Sequence, residues 1–429
     1  MIASTLPPRL RRAVSPYTGI VRTVEECLHG PSDPPIFRVA CEVARDARVL
    51  GVPLDHLKGI GGAGMTRAEA AAAAVGEALE RYSASFVPND ALVVASASEL
   101  AAAAVAPERF ALFSERQHEA LGFPFRRFTD DARVAWVAGH SLPGGEPALL
   151  PAELVFLAGA SLEGERPIGY ATSSGMACGE TCEATLVRGL CELLERDAFM
   201  IVWSNRLSLP LLDWSSDPRI LELDRRYFAP AGIEYAAVDL SCFHRVPSVL
   251  GVVRARGRCA GALGVGAGTG PTIERAWWKA LAEAFASRAA GAKLALLQPA
   301  SDRVVSFEDH IRFYADERHA EATGFLDASL ERTRTGAVGS LGGNHVEELC
   351  ERVAAAGSSA YAVDVTSPDV AELGLTVTKV VAPELCSLDV AHRARFLGGR
   401  RIYEAAWAVG LGAEPLSEAD LNPDPHPFP

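Results

Sequence analysis

Two strings of the sequence carry carboxylates at helical spacing, Glu77-x-x-Glu80-Arg81 and Glu192-x-x-Glu195-Arg196. Residues three apart on a helix are neighbours, so each string sets two carboxylates side by side. In the first helix Val75, Ala78, Leu79, Tyr82 and Phe86 fall on one apolar stripe, with Glu77 and Glu80 opposite; in the second, Leu186, Leu190, Leu193 and Leu194 oppose Glu192 and Glu195. A solvated face would carry charge along its whole length. Residues 70–76 instead read Ala-Ala-Ala-Ala-Ala-Val-Gly, which predicts that the outer face is covered and that the glutamates sit where it opens into a cleft. The plainer reading of each string is a helix-stabilising Glu–Arg pair at i, i+4, worth about 0.3–0.5 kcal/mol. Two copies in otherwise uncharged helices favour a functional one. Four carboxylates in one cleft repel and take up protons unless a cation neutralises them. Mg²⁺ accepts a few carboxylates and completes its shell with phosphate oxygens and water, so a nucleoside triphosphate is the leading ligand.

A third helix has Trp278, Leu281, Ala282 and Phe285 as its expected buried stripe, with Lys279 and Glu283 on a more exposed side and Arg288 at the edge. Lys279 and Arg288 suit phosphates; their plainer reading is surface ion pairing. Two glycine-rich strings precede helices. Residues 59–64, Gly-Ile-Gly-Gly-Ala-Gly, satisfy G-x-G-x-x-G, but the residues from 66 to 86 read as one unbroken helix, with no room for the second strand of a dinucleotide fold. Residues 264–270, Gly-Val-Gly-Ala-Gly-Thr-Gly, lack the Gly-Lys-Ser/Thr ending of a P-loop. Both are read as tight turns that let backbone approach a ligand.

The elements that must position these residues follow from periodicity and caps. Thr66 with Glu69 forms a capping box for the first helix; the second is expected over 181–203 and the third over 272–290. Further helices are expected near 306–316 and 345–356, and strands at 133–142, 148–157, 233–240, 248–256, 260–266, 359–365 and 374–382. Long helices interleaved with short strands predict an α/β, mixed α+β fold. The expected organisation is an arm over 1–50, a main domain over 51–415 and a proline-rich tail over 416–429.

Composition bounds the rest. With 429 residues, 49% hydrophobic and 22% charged, the chain has a globular balance, and its formal charge of −13 argues against nucleic acid as a partner. No run of 18 apolar residues spans a bilayer, and Arg9, Arg11 and Arg12 are not followed by the apolar stretch of a signal peptide, so no membrane association is expected and the location is read as cytoplasmic. Nine cysteines without a C-x-x-C fit neither a disulfide framework nor a zinc ribbon, and Cys178, Cys182 and Cys191, clustered on an expected helix, read as buried thiols rather than as a metal site.

Residues 62–70 leading to 76–83, residues 173–179 leading to 189–198, and residues 275–288 together resemble the three nucleotide-binding helices of the YcaO family. Supporting matches are residues 15–22, Asp364-Val-Thr with Val380-Val-Ala-Pro383, and residues 397–402, so the resemblance covers nearly the whole chain. It implies a YcaO-type domain with long helices flanking sheets and ATP held between them. Mg²⁺ would rest on Glu77, Glu80, Glu192 and Glu195, and ATP on Arg81, Ser173, Ser174, Glu183, Arg196, Lys279, Glu283 and Arg288. The chain departs from the family at Ala63, Ser174 and Ala286, where Lys, Asn and Gln are common; Lys58 is the nearby substitute for the first.

The last residues, Pro423-Asp-Pro425-His-Pro427-Phe-Pro429, end in a P-x-P-x-P pattern similar to that of azoline-forming members. A polyproline II rod is stiff, so Pro425 and Pro427 would carry the terminal carboxylate of Pro429 into the active site as a base. The implied activity is ATP-dependent conversion of Cys, and of Ser or Thr, into azolines in a ribosomally made precursor peptide. The implied partners are that peptide, a separate ubiquitin-activating-enzyme-like protein that binds its leader, a flavin-dependent dehydrogenase and a second copy of the chain. Thioamide or amidine formation, a nucleotide-dependent scaffold that delivers the peptide, and a dinucleotide-dependent oxidoreductase are the alternatives.

Overall fold

The helix that carries Glu77 and Glu80 begins at the cap that the sequence provides. Thr66 Oγ1 accepts the Glu69 N–H (3.2 Å), and Glu69 Oε2 accepts those of Thr66 (3.3 Å) and Met65 (2.9 Å), closing the capping box. The structure is a computed structural model that describes residues 2–44, 59–257, 261–298 and 302–429. Lys58 lies outside the described residues. In chain order the strands β1 (Val21–Glu26), β2 (Phe37–Val43) and β3 (Gly61–Gly64) precede helix α1 (Arg67–Ser83). Strands β4 (Val93–Ala95), β5 (Val134–Leu142), β6 (Pro147–Pro151) and β7 (Met176–Gly179) lead to helix α2 (Cys182–Ser204). Then come β8 (Leu211–Asp213), β9 (Glu234–Asp239), β10 (Ser248–Arg254), β11 (Leu263–Thr269) and helix α3 (Ile273–Leu297), followed by β12 (Arg332–Arg334), β13 (Ala360–Asp364) and β14 (Thr376–Val381). The mixed α+β class is as expected, and α1 and α2 lie within a few residues of their expected bounds, whereas α3 continues past residue 290 to Leu297 and β6 ends at Pro151 rather than at 157.

The chain forms two compact units. The first comprises Met1–Cys27, Phe37–Leu193 and Leu349–Glu384. It contains an antiparallel sheet in the order β1-β2-β3 and a second sheet in the order β4-β5-β13-β14-β7, with β6 paired to β5. Its core gathers Ala70, Ala71, Ala74, Val75, Ala78 and Leu79 of α1 with Val363 and Val377 of the second sheet. Phe86, expected on the α1 stripe, lies beyond the helix end and is 41% exposed. The second unit comprises Leu28–Ile36, Leu194–Glu348 and Leu385–Pro429, around a sheet in the order β11-β10-β9-β8-β12. On α3 the buried stripe runs through Trp277, Leu281, Ala282 and Phe285, whereas Trp278 is only half-buried. The buried face keeps Leu281, Ala282 and Phe285 of the expected stripe but takes Trp277 in place of Trp278, and it widens to include Ala276, Ala280, Ala284 and Arg288, which was expected at an edge.

The glycine-rich strings are not turns. Gly61–Gly64 is strand β3, and a Cβ at Gly62 would lie 2.5 Å from the Ala70 oxygen and the Ala74 nitrogen of α1. Gly264, Gly266 and Gly268 lie in β11, where a Cβ at Gly266 would stand 2.5 Å from the Ala284 nitrogen of α3. Glycine is needed there because strand and helix backbones touch. This removes the dinucleotide-type turn and with it the sequence basis of the oxidoreductase alternative. Replacing Gly266 or Gly62 by Ala forces the helix off its strand and is expected to cost about 1–3 kcal/mol. Thermal or denaturant unfolding checks it, with Gly324→Ala, whose Cβ would meet nothing within 4 Å, as the variant expected to unfold like the parent.

Candidate active-site residues

The close approach of strand and helix has a chemical result. In each of the three long helices a glutamate reaches a backbone N–H of the glycine-rich segment packed against it. Gly61 N–H donates to Glu77 Oε2 (3.0 Å), Gly175 N–H to Glu192 Oε2 (3.3 Å) and Ala267 N–H to Glu283 Oε2 (3.0 Å). Gly175 has φ +80° and a Cβ there would lie 2.4 Å from the Val380 oxygen, so only glycine serves. A carboxylate fixed by an N–H has a defined rotamer, as a metal or phosphate site requires.

The first unit brings together Glu77, Glu80 and Glu192. Arg81 pairs with Glu77 at 2.6 Å, as the i, i+4 spacing predicts. Burial, and then the charges of Glu192 and Glu77, push the Glu80 carboxyl well above the usual carboxylate range, against the opposing pull of Arg81 and Lys379. A set of hard oxygen ligands with a surplus of negative charge matches Mg²⁺, and no hydrogen bond among the described residues commits the Glu80 carboxylate elsewhere. Lys379, on β14, was not marked by the sequence reading. It is buried, and burial draws its ammonium down to about 8 against the pull of Glu192 and Glu80. Its signal in the sequence was a lysine inside a strand of β-branched residues. Ser173 is half-buried and Ser174 buried, in the segment leading to Gly175. Glu183 is exposed in the first turn of α2, about 13 Å along the axis from Glu192.

The second unit holds the rest. Both Glu195 oxygens accept from Lys279 Nζ, at 3.1 and 2.9 Å, and the Glu195 side chain is 1% accessible. Arg196 lies 3.6 Å from Glu195 and sets its guanidinium 4.1 Å above the Phe428 ring. Burial raises the Glu283 carboxyl and Glu195 adds to this, while Arg196 and Lys279 oppose it. Arg288 makes a buried ion pair with Asp33 at 3.2 Å, which replaces the expected edge position. Asp197, next in sequence to Arg196, is a hub that sequence reading missed. It accepts both Arg401 donors, the Cys386 N–H and a contact from His244 Nε2, each at 2.8 Å. Burial acts to raise its pKa, but Arg401 and His244 overcome this and hold it well below the usual carboxylate range.

The proline tail is part of the core of this unit. His426 and Phe428 are 1% and 0% exposed, and Phe428 packs on Phe199 at 4.7 Å. The Trp203 indole donates to the Asp424 carbonyl (3.2 Å), Tyr314 to that of Pro425, and His310 Nδ1 contacts that of His426 (2.6 Å). The tail is therefore anchored by the buried run Pro425, His426, Pro427 and Phe428, while Pro429 itself is half-buried. His310, Asp389 and His426 offer three metal-type ligand atoms within 4.8 Å of one another. Their ring nitrogens already face backbone groups, and the two imidazoles stack 3.9 Å apart at 11°, so their in-plane lone pairs do not converge on one ion.

The family described as YcaO cyclodehydratase, ATP- and Mg²⁺-binding, matches residues 61–386. The chain belongs to the YcaO family. This YcaO chain is 30% identical over 230 residues to an uncharacterised protein of Methanothermobacter thermautotrophicus, covering 53% of the chain and 56% of that protein. Its fold is similar to that of a heterocyclase solved in complex with substrate and cofactor, with a TM-score of 0.79 and 25% identity, over 100% of this chain and 57% of that one. It is also similar to the heterocyclase TruD, with a TM-score of 0.66 and 25% identity, over 83% and 50% of the two chains. The chain thus spans about half the length of these relatives. Among the described residues no helix is long and apolar enough to cross a membrane.

Two outcomes follow from the packing. Deleting residues 425–429 is expected to cost at least about 3 kcal/mol, the scale of losing one buried Phe, read as a lower unfolding midpoint. Asp197→Asn leaves Arg401 underpaired, with an expected loss of about 3–5 kcal/mol. Because the folded pKa of Asp197 is depressed, its contribution is fully present above the usual carboxylate range and is lost as pH falls through the depressed value. Stability differences between parent and variant, measured from neutral pH into acid, are expected to shrink only at the acidic end.

Proposed function

We propose that this chain is an ATP-dependent peptide cyclodehydratase that forms azolines from Cys, and from Ser or Thr, in a ribosomally made precursor peptide. The observation that carries the reading is the cluster of Glu77, Glu80 and Glu192, whose geometry and charge call for a cation, in a chain of an ATP- and Mg²⁺-binding family. Glu77, Glu80, Glu192 and Glu195 are proposed to hold Mg²⁺, which when bound would offset the charge of the γ-phosphate and orient it. Arg81, Arg196, Lys279 and Arg288 are proposed phosphate contacts, with Ser173, Ser174, Glu183 and Glu283 completing the ATP site.

The chemistry has to remove a poor leaving group. The thiol sulfur of Cys adds to the preceding amide carbonyl carbon and loses its proton, leaving an oxyanion. That oxygen takes the γ-phosphoryl group of ATP, giving ADP. It then departs with phosphate as the nitrogen gives up its proton and the C=N bond of the ring forms. The balance is one ATP to ADP and phosphate, with loss of one water from the peptide. The Pro429 carboxylate is the proposed acceptor of these protons. A tail built into the core by His426 and Phe428 holds its last residue in one place, which supports that role. Delivery of the peptide is proposed to need a separate leader-binding protein. The domain division proposed is an arm over 1–50, a catalytic domain over 51–415 and the tail over 416–429.

Mass spectrometry of the precursor peptide after incubation with ATP and Mg²⁺ decides the reaction, with loss of one water per ring expected. A gain of sulfur in place of oxygen would establish thioamide formation instead. Glu80→Gln is expected to lower ATP consumption by at least about 100-fold while leaving the melting temperature near that of the parent. A C-terminal extension of a few residues after Pro429 is expected to suppress cyclisation without unfolding the chain. Parent rates in that form would remove the carboxylate from the mechanism.

A further inference from the structure

Lys379 occupies the middle of β14, paired with Val363 of β13 and Met176 of β7. The residue is 5% exposed. An ammonium so placed is costly unless its donors find acceptors and its charge finds partners. Its Nζ donates to the carbonyl oxygens of Thr172 (2.8 Å) and Ser174 (2.6 Å), and the negative charges acting on it are those of Glu192 and Glu80. The next residue of the strand continues the clamp, since Val380 N–H donates to the Gly175 oxygen (2.8 Å). Three carbonyls of the segment 172–175 are therefore held by two consecutive residues of β14. The same segment sends the Gly175 N–H to Glu192. A lysine suits this place: it is a compact charge with rotatable donors, able to meet two carbonyls that diverge.

We propose that Lys379 is a positioning residue for the metal-bound nucleotide: it fixes the 172–175 segment so that Gly175 N–H meets Glu192, and its ammonium offsets the repulsion between Glu80 and Glu192. This rests on the reading that Glu80 and Glu192 hold Mg²⁺. Lys379 touches neither peptide nor reacting atoms; it acts through the carboxylates.

The test is calorimetric titration of the full chain with Mg²⁺ and a non-hydrolysable ATP analogue, alongside thermal melting. Lys379→Met is expected to weaken binding by the folded protein at least about tenfold, the scale of charged buried hydrogen bonds. Thr378→Val serves as the structural control. It removes the buried Thr378–Thr185 hydroxyl contact (2.8 Å) on the same strand and is expected to lower the melting temperature with affinity unchanged. Glu192→Gln tests the reading beneath. If Glu192→Gln loses binding but Lys379→Met stays within about twofold of the parent, the proposal is overturned and the metal reading stands. Should Glu192→Gln bind like the parent, the metal reading itself fails. Equal losses in Lys379→Met and Thr378→Val would reduce Lys379 to strand packing and also overturn the proposal. Where Lys379→Met does not fold, Lys379→Gln, which keeps a donor without the charge, is judged by the same limits.

Discussion

The contact on which the rest depends is backbone against backbone: a glycine-rich strand laid so closely on a helix that no Cβ fits between them. On β3 and β11 the space that side chains would fill is taken by the helix itself. A strand that close can offer its N–H groups to a helical side chain, and the side chain that accepts is a glutamate. The same approach that packs the core fixes the carboxylates. Small residues on the helix are the other half of the arrangement, which is why residues 70–74 of α1 are all alanine.

Fixing carboxylates concentrates negative charge, and each unit balances it differently. In the first, Arg81 takes up Glu77, and Lys379 is brought in from below on β14, leaving Glu80 raised by burial and by its neighbours. In the second, Lys279 occupies both oxygens of Glu195, and Arg196 stands beside them. Glu80 thus has no hydrogen bond from the described residues, whereas both Glu195 oxygens accept from Lys279. A metal on Glu195 would have to compete with the ammonium of Lys279, whose side chain is 47% accessible.

The tail is held by more than its prolines. Proline supplies stiffness and removes donors, and Pro425 and Pro427 are buried together with His426 and Phe428, while carbonyls of the tail accept from Trp203 and Tyr314. Phe428 also lies under the guanidinium of Arg196. Placement of the last residue and orientation of an expected phosphate contact therefore depend on one aromatic ring.

What is local or periodic could be taken from the amino-acid order alone. The Thr66 capping box, the Glu77–Arg81 pair, the long helices, most strands and the family were legible, because each is encoded within a few residues or in short strings of defined spacing. What depends on partners distant in the chain emerged from the tertiary packing. Lys379 reaches Thr172 and Ser174 across more than 200 residues of chain, and Asp197 reaches Arg401 across 204. The glycine strings read as turns because composition reports that a Cβ is excluded but not what excludes it; a helix backbone does so here. Arg288 read as an edge residue because helical periodicity fixes spacing around an axis, while the width of the buried face, and hence the ion pair with Asp33, is set by the sheet on which the helix packs.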